Sequence, residues 1–549
     1  MKRTIAVIHA DLERTPLGTR SRLGDELGGQ PILRRTVERV RAARGLAECV
    51  VLSPAGQEGR CEAVLAGLGV VVQRVEAPDP AWRALVRVSR KWSLAGWRGG
   101  VGGTTSLDEY LHPQVVAALL ELRPADRVMI VPPAAVLVCP DVVDAMIERH
   151  DRSEEDNRLA FAQAPPGVAG TIYNADLIRE LADKNIPPGW ILSYKPDAPR
   201  KDLAFFSCCF EVRAPLRYGG LRLIADTDRW AEVTRAAWRV DPAPNAEQLG
   251  RVVADLEAGH VPRLPNEVEI ELTTDDPYPS AVLHPRGDRV GRRGPLSIET
   301  VRKIASELGA LDDSLVVLGG FGDPLRHPRF PEVLRVLREA GVFGVAVRTA
   351  GVDLTEDLIE TLLDYQVDVL NVLMDGWTAE TYAAMHAPDV PHRASLEHVR
   401  SRVDRLEARK RERGCVAPIV VPEMIKAKPT LAELPAFFDG WVRRLGTVNV
   451  AGFSHRSRQA PDLAVMSTAP PSRTACRRLQ SRVVVLADGS VVLCDQDFRG
   501  LTPVGDAGRD ELEAVWRGEA MARVREAHVR GDAAAAGPLC GACEEWHRP

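Results

Sequence analysis

The sequence predicts an α/β protein in three parts: a three-layer domain on a mainly parallel sheet, a partial (β/α)6 barrel, and a small C-terminal metal domain. Three observations carry that prediction. Strand-like apolar runs alternate with helix-like stretches over residues 1–258, and a second such series covers 266–452. Within 473–549 stand four cysteines, spaced Cys476-x17-Cys494-x45-Cys540-x2-Cys543.

In the first part, Thr4–His9 is an apolar run of strand length, and Pro31–Ala43 follows with helical periodicity. Cys49–Leu52, a helix near Glu62–Leu68, Val70–Val72, the strand Arg127–Val131 and a helix from Pro140 to Glu148 continue the alternation. The proline-rich stretches 240–245 and 261–265 flank a short helix and mark a boundary.

In the second part, strands are expected at Glu267–Leu272, Ser314–Leu318, Phe343–Arg348, Val367–Leu373, Pro418–Val421 and Thr447–Val450. Helices fall between them near Ile298–Leu308, Pro331–Ala340, Glu356–Leu363, Leu396–Glu412 and Leu431–Leu445. The charged run Arg400–Arg413 reads as the solvated face of a barrel helix. Residues 454–473, rich in Ser, Arg and Pro, link to the cysteine segment.

Composition excludes several classes. A net charge of −5 gives no global pull toward nucleic acid or an anionic membrane. No run of eighteen apolar residues exists, so no membrane span is expected, and the N-terminus enters a strand without a signal peptide's apolar region. Ten cysteines in 549 residues do not make a disulfide framework, and their clustering suits a reducing cytoplasm. Six of them (Cys49, Cys61, Cys139, Cys208, Cys209, Cys415) lack ligand spacing and read as core residues.

The remaining four have a reason to meet. Apolar runs on both sides of Asp488-Gly489 read as a β-hairpin, which returns the chain so that Cys494 comes near Cys476. A helix around Glu511–Ala527 then leads to the Cys540-Gly-Ala-Cys543 knuckle. Two pairs of soft thiolates suit an iron–sulfur cluster or a tetrahedral zinc.

This segment resembles the SPASM extension of radical S-adenosylmethionine enzymes. The resemblance runs over about 473–546 and includes Asp488-Gly489, Cys494-Asp495, Gly505 and Leu512…Val515-Trp516. It implies one [4Fe–4S] cluster held by Cys476, Cys494, Cys540 and Cys543, with zinc as the alternative. The middle part resembles the radical SAM barrel. Val317–Pro328, with Gly320, Gly322 and Asp323, is similar to the motif that contacts the amino group of S-adenosylmethionine; Asp323 stands where glutamate is usual. Arg348–Gly351 and Val372–Tyr382 resemble the family's later strand ends.

The family's defining Cys-x3-Cys-x2-Cys is missing. Strand register places Asp276, Ser280 and Leu283 at those positions, and no cysteine lies between Cys209 and Cys415. Two hard oxygens and a hydrocarbon cannot replace three thiolates, so radical cleavage of S-adenosylmethionine is not expected.

The first part resembles nucleotide-diphospho-sugar transferases, nearest to cytidylyltransferases. Ile5–Ala10, then Leu17-Gly-Thr-Arg-Ser-Arg22, Leu27–Leu33, Trp97–Gly100 and Ile224–Trp230 carry the likeness. It implies a nucleotide or sugar nucleotide held by Arg20, Arg22 and Arg98, and magnesium on Asp226. Two departures weigh against turnover: Gln30 replaces the usual lysine, and the strand ending at Val131 delivers Pro132-Pro133, not an aspartate. His9 is placed to face the same cleft. Trp82, Trp92 and Trp97 with the glycine-rich run 95–103, and the stretch 164–173, are further candidates for its walls. The resulting expectation is an iron–sulfur protein serving in binding or scaffolding, with a link to sugar-nucleotide or surface-glycan metabolism. Nucleotidyl or glycosyl transfer, and electron transfer by the cluster, are the alternatives; the sequence names no protein partner.

Overall fold

The computed structural model describes residues 2–76, 82–96, 101–153, 157–199 and 206–548. The chain forms two compact units, 1–260 and 261–549.

The first unit is built on seven strands: β1 (Thr4–His9), β2 (Glu48–Pro54), β3 (Val71–Val75), β4 (Arg127–Ile130), β5 (Leu159–Gln163), β6 (Thr171–Asn174) and β7 (Cys209–Glu211). Their order is β3-β2-β1-β4-β6-β5-β7. The first four run parallel, and β6 is antiparallel to both its neighbours. β1 is buried along almost its whole length, which explains why it reads as a continuous apolar run, not an alternating one. The helix Ile32–Arg41 buries Ile32, Leu33, Thr36, Val37 and Val40, one stripe at helical spacing. The second helix spans Glu58–Leu65, a turn earlier than its apolar residues suggest. Gly67, at φ +81°, closes the turn that follows it.

The second unit has nine strands in one sheet: β8 (Glu267–Glu271), β9 (Leu315–Gly319), β10 (Gly344–Thr349), β11 (Val369–Leu373), β12 (Ile419–Lys426), β13 (Asn449–Gly452), β14 (Arg482–Val485), β15 (Ser490–Val492) and β16 (Gly505–Asp506). The order is β13-β12-β11-β10-β9-β8-β14-β15-β16. β8 to β13 are the six parallel strands of the partial barrel. The cysteine segment extends this sheet, because β14 pairs parallel with β8. Arg482 opposite Glu267 sets that register with an ion pair of 2.7 Å.

β14 and β15 form the expected hairpin around Asp488-Gly489, with Gly489 at φ +91°. The helix expected over 511–527 is two helices, Leu512–Arg517 and Glu519–Val529. Gly518 between them is extended, and a side chain there would meet the Ala514 carbonyl at 2.7 Å. The run Arg400–Arg413 lies on the helix Leu396–Arg413, where Arg405, Arg409 and Arg413 pair with Glu356 and Glu360 of a neighbouring helix. Among the described residues no helix is long and apolar enough to cross a membrane.

Candidate functional site

The four cysteines of the C-terminal segment come together. Cys476 precedes the short helix Arg478–Ser481, the hairpin delivers Cys494, and Cys540 and Cys543 lie on and just after the helix Pro538–Ala542. All four line one cavity of ≈ 30 Å³, walled also by Leu479, Leu493 and Trp546. Among the described residues no three thiol, imidazole or carboxylate groups converge as around a single ion.

Burial pushes the Cys540 thiol up to about 12, the neighbouring Cys476 and Cys543 adding to the shift. It also raises Cys494, where Asp495 adds to the shift and Arg478 opposes it. Such thiols are neutral on their own and give up protons only to a metal. Polar groups face the sulfurs and the backbone that carries them. The Glu545 N–H donates to the Cys543 sulfur at 3.2 Å. Arg473 donates to the carbonyls of both Cys540 (2.7 Å) and Cys543 (3.3 Å), and its guanidinium lies over the Trp546 ring. Arg478 sits between the cysteines and Asp495, which it meets at 2.6 Å. Cationic groups and N–H···S bonds are what an anionic iron–sulfur cluster requires around its sulfurs. The other six cysteines are unbridged, and all but Cys415 are buried.

The mouth of the barrel is different: it is closed by its own side chains. Asp276 pairs with Arg286 at 2.8 Å, and Arg286 also donates to the Gly320 carbonyl at 3.1 Å. Leu283 packs with Met385, Ile425 and Phe453. Glu269 accepts from the Gly320 N–H, Glu271 makes a two-armed pair with Arg293, and Arg348 pairs with Glu423. A cavity of ≈ 20 Å³ lies among Glu269, Arg286, Gly320 and Arg348, room for about one water.

Gly320, Gly322 and Asp323 serve this closure. A side chain at Gly320 would strike Glu271 at 2.7 Å, and one at Gly322 would strike the Thr273 carbonyl at 2.3 Å. Asp323 is 1% exposed. Its carboxylate caps the following turn through the Leu325 N–H and accepts from the Thr349 hydroxyl and the Ala350 N–H, at 2.7–3.0 Å. Burial, with Asp276 nearby, pushes it up to about 6. The carboxylate expected to meet an amino group ties the loop after β9 to the end of β10.

The first unit holds a cleft of ≈ 950 Å³ beyond the ends of β1 and β2. His9 lines it, edge-on to His112 with ring centres 4.4 Å apart. Arg22 lines it too, but is pinned to Asp228 at 2.5 Å and to the Asp226 carbonyl at 3.1 Å. Arg20 is not part of the wall; it pairs with Asp25 through both its terminal nitrogens. Arg98 and Trp97 lie outside the described residues.

Asp226, expected to hold magnesium, is committed elsewhere. It accepts from Arg222 at 3.0 Å and from the Tyr110 hydroxyl at 2.8 Å. Arg222 also meets Glu109 at 2.7 Å, and Glu109 meets Arg90 at 2.8 Å. These four charged side chains are at most 2% exposed, and Asp226 borders the cleft. The residues that sequence reading missed are Arg14, Arg83 and Arg87, which supply the cleft's other guanidiniums. Trp82 is buried at the head of the helix Trp82–Ser89, and residues 166–173 border a separate cavity of ≈ 50 Å³.

Residues 476–544 match the family model of SPASM, an iron–sulfur cluster-binding domain. The C-terminal segment is a SPASM domain. An uncharacterized protein of Treponema pallidum is 24% identical over 243 residues, 43% of this chain and 65% of its own length, so the chain spans under two thirds of that relative. Among solved structures, BtrN in complex with AdoMet and 2-DOIA is similar at 16% identity, over 50% of this chain and 92% of that one, with a TM-score of 0.35. A cytidylyltransferase from Leptospira borgpetersenii is similar at 15% identity, over 46% of this chain and 95% of that one, with a TM-score of 0.33. Within the SPASM domain, the matched span opens at Cys476 and closes at Glu544, so all four cavity-lining cysteines lie inside it.

Proposed function

We propose that the SPASM domain holds one [4Fe–4S] cluster on Cys476, Cys494, Cys540 and Cys543, and that the chain is a non-radical binding or scaffolding component. The observation that carries the reading is the set of four thiols around one cavity, faced by Arg473 and Arg478. A cluster there would supply a one-electron centre; the protein's own part is to hold it, screen its charge and bury it. Four thiolates suit a cluster or a tetrahedral zinc ion, and the match to an iron–sulfur cluster-binding domain favours the cluster.

The non-radical part rests on the barrel mouth, where the Asp276–Arg286 pair and Leu283 occupy the positions of the missing ligands. The reading takes 1–258, 266–452 and 473–549 as the three domains, a cytoplasmic setting for the thiols, and a link to sugar-nucleotide or surface-glycan chemistry through the N-terminal cleft. A second reading, nucleotidyl or glycosyl transfer in that cleft, is favoured by its volume of ≈ 950 Å³.

The test is reductive cleavage of S-adenosylmethionine by anaerobically reconstituted, dithionite-reduced protein. Product at the level of a protein-free control is expected. Sustained turnover would overturn the non-radical reading.

A further inference from the structure

We propose that His528 and Gln496 donate hydrogen bonds to the sulfurs of the cluster held by the four cysteines, and that the pair raises the cluster's reduction potential. The inference rests on reading that cavity as a [4Fe–4S] site.

Both side chains belong to the cavity wall. His528 stands near the end of the helix Glu519–Val529, Gln496 lies just beyond Cys494, and each lines the cavity that the cysteines line. Both are buried, His528 at 5% exposure and Gln496 at 2%. Among the described residues, neither ring nitrogen of His528 has a hydrogen-bond partner, and the amide nitrogen of Gln496 has none either. The Gln496 Oε1 accepts from the hydroxyls of Ser454 and Ser457, at 3.3 and 3.5 Å, so the nitrogen is the end left without a partner. Burial, with Arg473 nearby, holds His528 below the usual histidine range. The ring is therefore neutral and keeps one N–H to give.

Buried N–H groups without an acceptor are costly, and folded proteins leave few of them. Here two side chains from separate elements leave theirs at one cavity. The carboxylate on its wall does not serve them: Asp497 accepts from the N–H groups of Leu501 and Thr502 and from the Thr502 hydroxyl, each at 2.8 Å. What the site gathers is sulfur. A bound [4Fe–4S] cluster adds inorganic sulfides to the four thiolates, all of them acceptors, and its negative charge is what N–H groups offset. The Glu545 N–H already serves the Cys543 sulfur in this way. Reduction adds one more negative charge, so donors to the sulfurs favour the reduced cluster and raise its potential.

The experiment is a redox titration of the anaerobically reconstituted full chain, followed by electron paramagnetic resonance, beside His528→Phe and Gln496→Met. Each variant removes the N–H and keeps the bulk. Both should hold iron at the wild-type level and shift the midpoint potential to lower values, the double variant further than either. His528→Gln, which restores an N–H, should recover part of the shift. Labelling histidine with nitrogen-15 adds a direct reading. The reduced wild type should show coupling to that nucleus in its electron spin echo modulation, and His528→Phe should lack it. An unchanged potential in both iron-loaded variants would overturn the proposal and leave the cluster in place. Absence of the coupling in the wild type would overturn it even where a variant fails to load iron. A wild type that binds no iron would overturn the cluster reading itself.

Discussion

Replacing Cys540 and Cys543 by serine should reduce bound iron to background after anaerobic reconstitution. The two residues supply half of the thiols around the cavity. A serine hydroxyl is a hard, neutral ligand that does not replace a thiolate on iron, and two remaining sulfurs cannot hold a cluster. The chain itself should stay folded. Val483, Val485, Val491, Trp516 and Met521 of the same segment belong to the large apolar core of the second unit, and the Trp516 indole donates to the Pro262 carbonyl at 3.0 Å. That shared core, and not the four thiols alone, ties the segment to the rest of the second unit. Iron analysis with far-ultraviolet circular dichroism checks both halves. Cys415→Ser, at a half-buried cysteine far along the barrel, should keep its iron. A double variant that retains iron would remove these cysteines from the site.

The second large effect is on stability. Asp226→Ala should destabilise the first unit by about 3–5 kcal/mol, the usual cost of removing one partner from a buried ion pair. Arg222 is fully buried and, among the described residues, would keep Glu109 alone as its charged partner, a carboxylate it already shares with Arg90. The Tyr110 hydroxyl would lose its acceptor as well. Replacing the pair together, as Arg222→Met/Asp226→Leu, should recover most of the loss, because no stranded charge remains. Denaturant unfolding without added metal measures both. Under a metal-ligand role, Asp226→Ala would leave metal-free stability nearly unchanged, and a loss below about 1 kcal/mol would point that way.

The four parallel strands of the first unit, the six barrel strands and the hairpin of the SPASM domain were legible because they are apolar runs bounded by turn residues. Gly489 in its tight turn is one such signal, and the Cys540–Cys543 spacing is another. What stayed hidden depends on pairing across long separations. Glu269 and Glu271 alternate with apolar residues on β8, yet both are buried, because Gly320, Arg293 and Phe321 meet them from elsewhere in the barrel. Arg222 and Asp226 lie in an irregular stretch, where no periodicity announces an ion pair. Asp226 therefore looks like a ligand until Tyr110, 116 residues away, is placed against it. Arg14 and Arg87 line the same cleft from distant segments, and only the folded sheet end brings them together. The joining of β14 to β8 likewise links residues with no local signal in common.

The central claim is that the SPASM cysteines hold the one cluster of a chain whose barrel has none. Counting iron and acid-labile sulfide per chain after anaerobic reconstitution tests it most directly. One [4Fe–4S] centre predicts about four of each. About eight iron per chain would contradict the closed barrel, and stoichiometric zinc without iron would contradict the cluster.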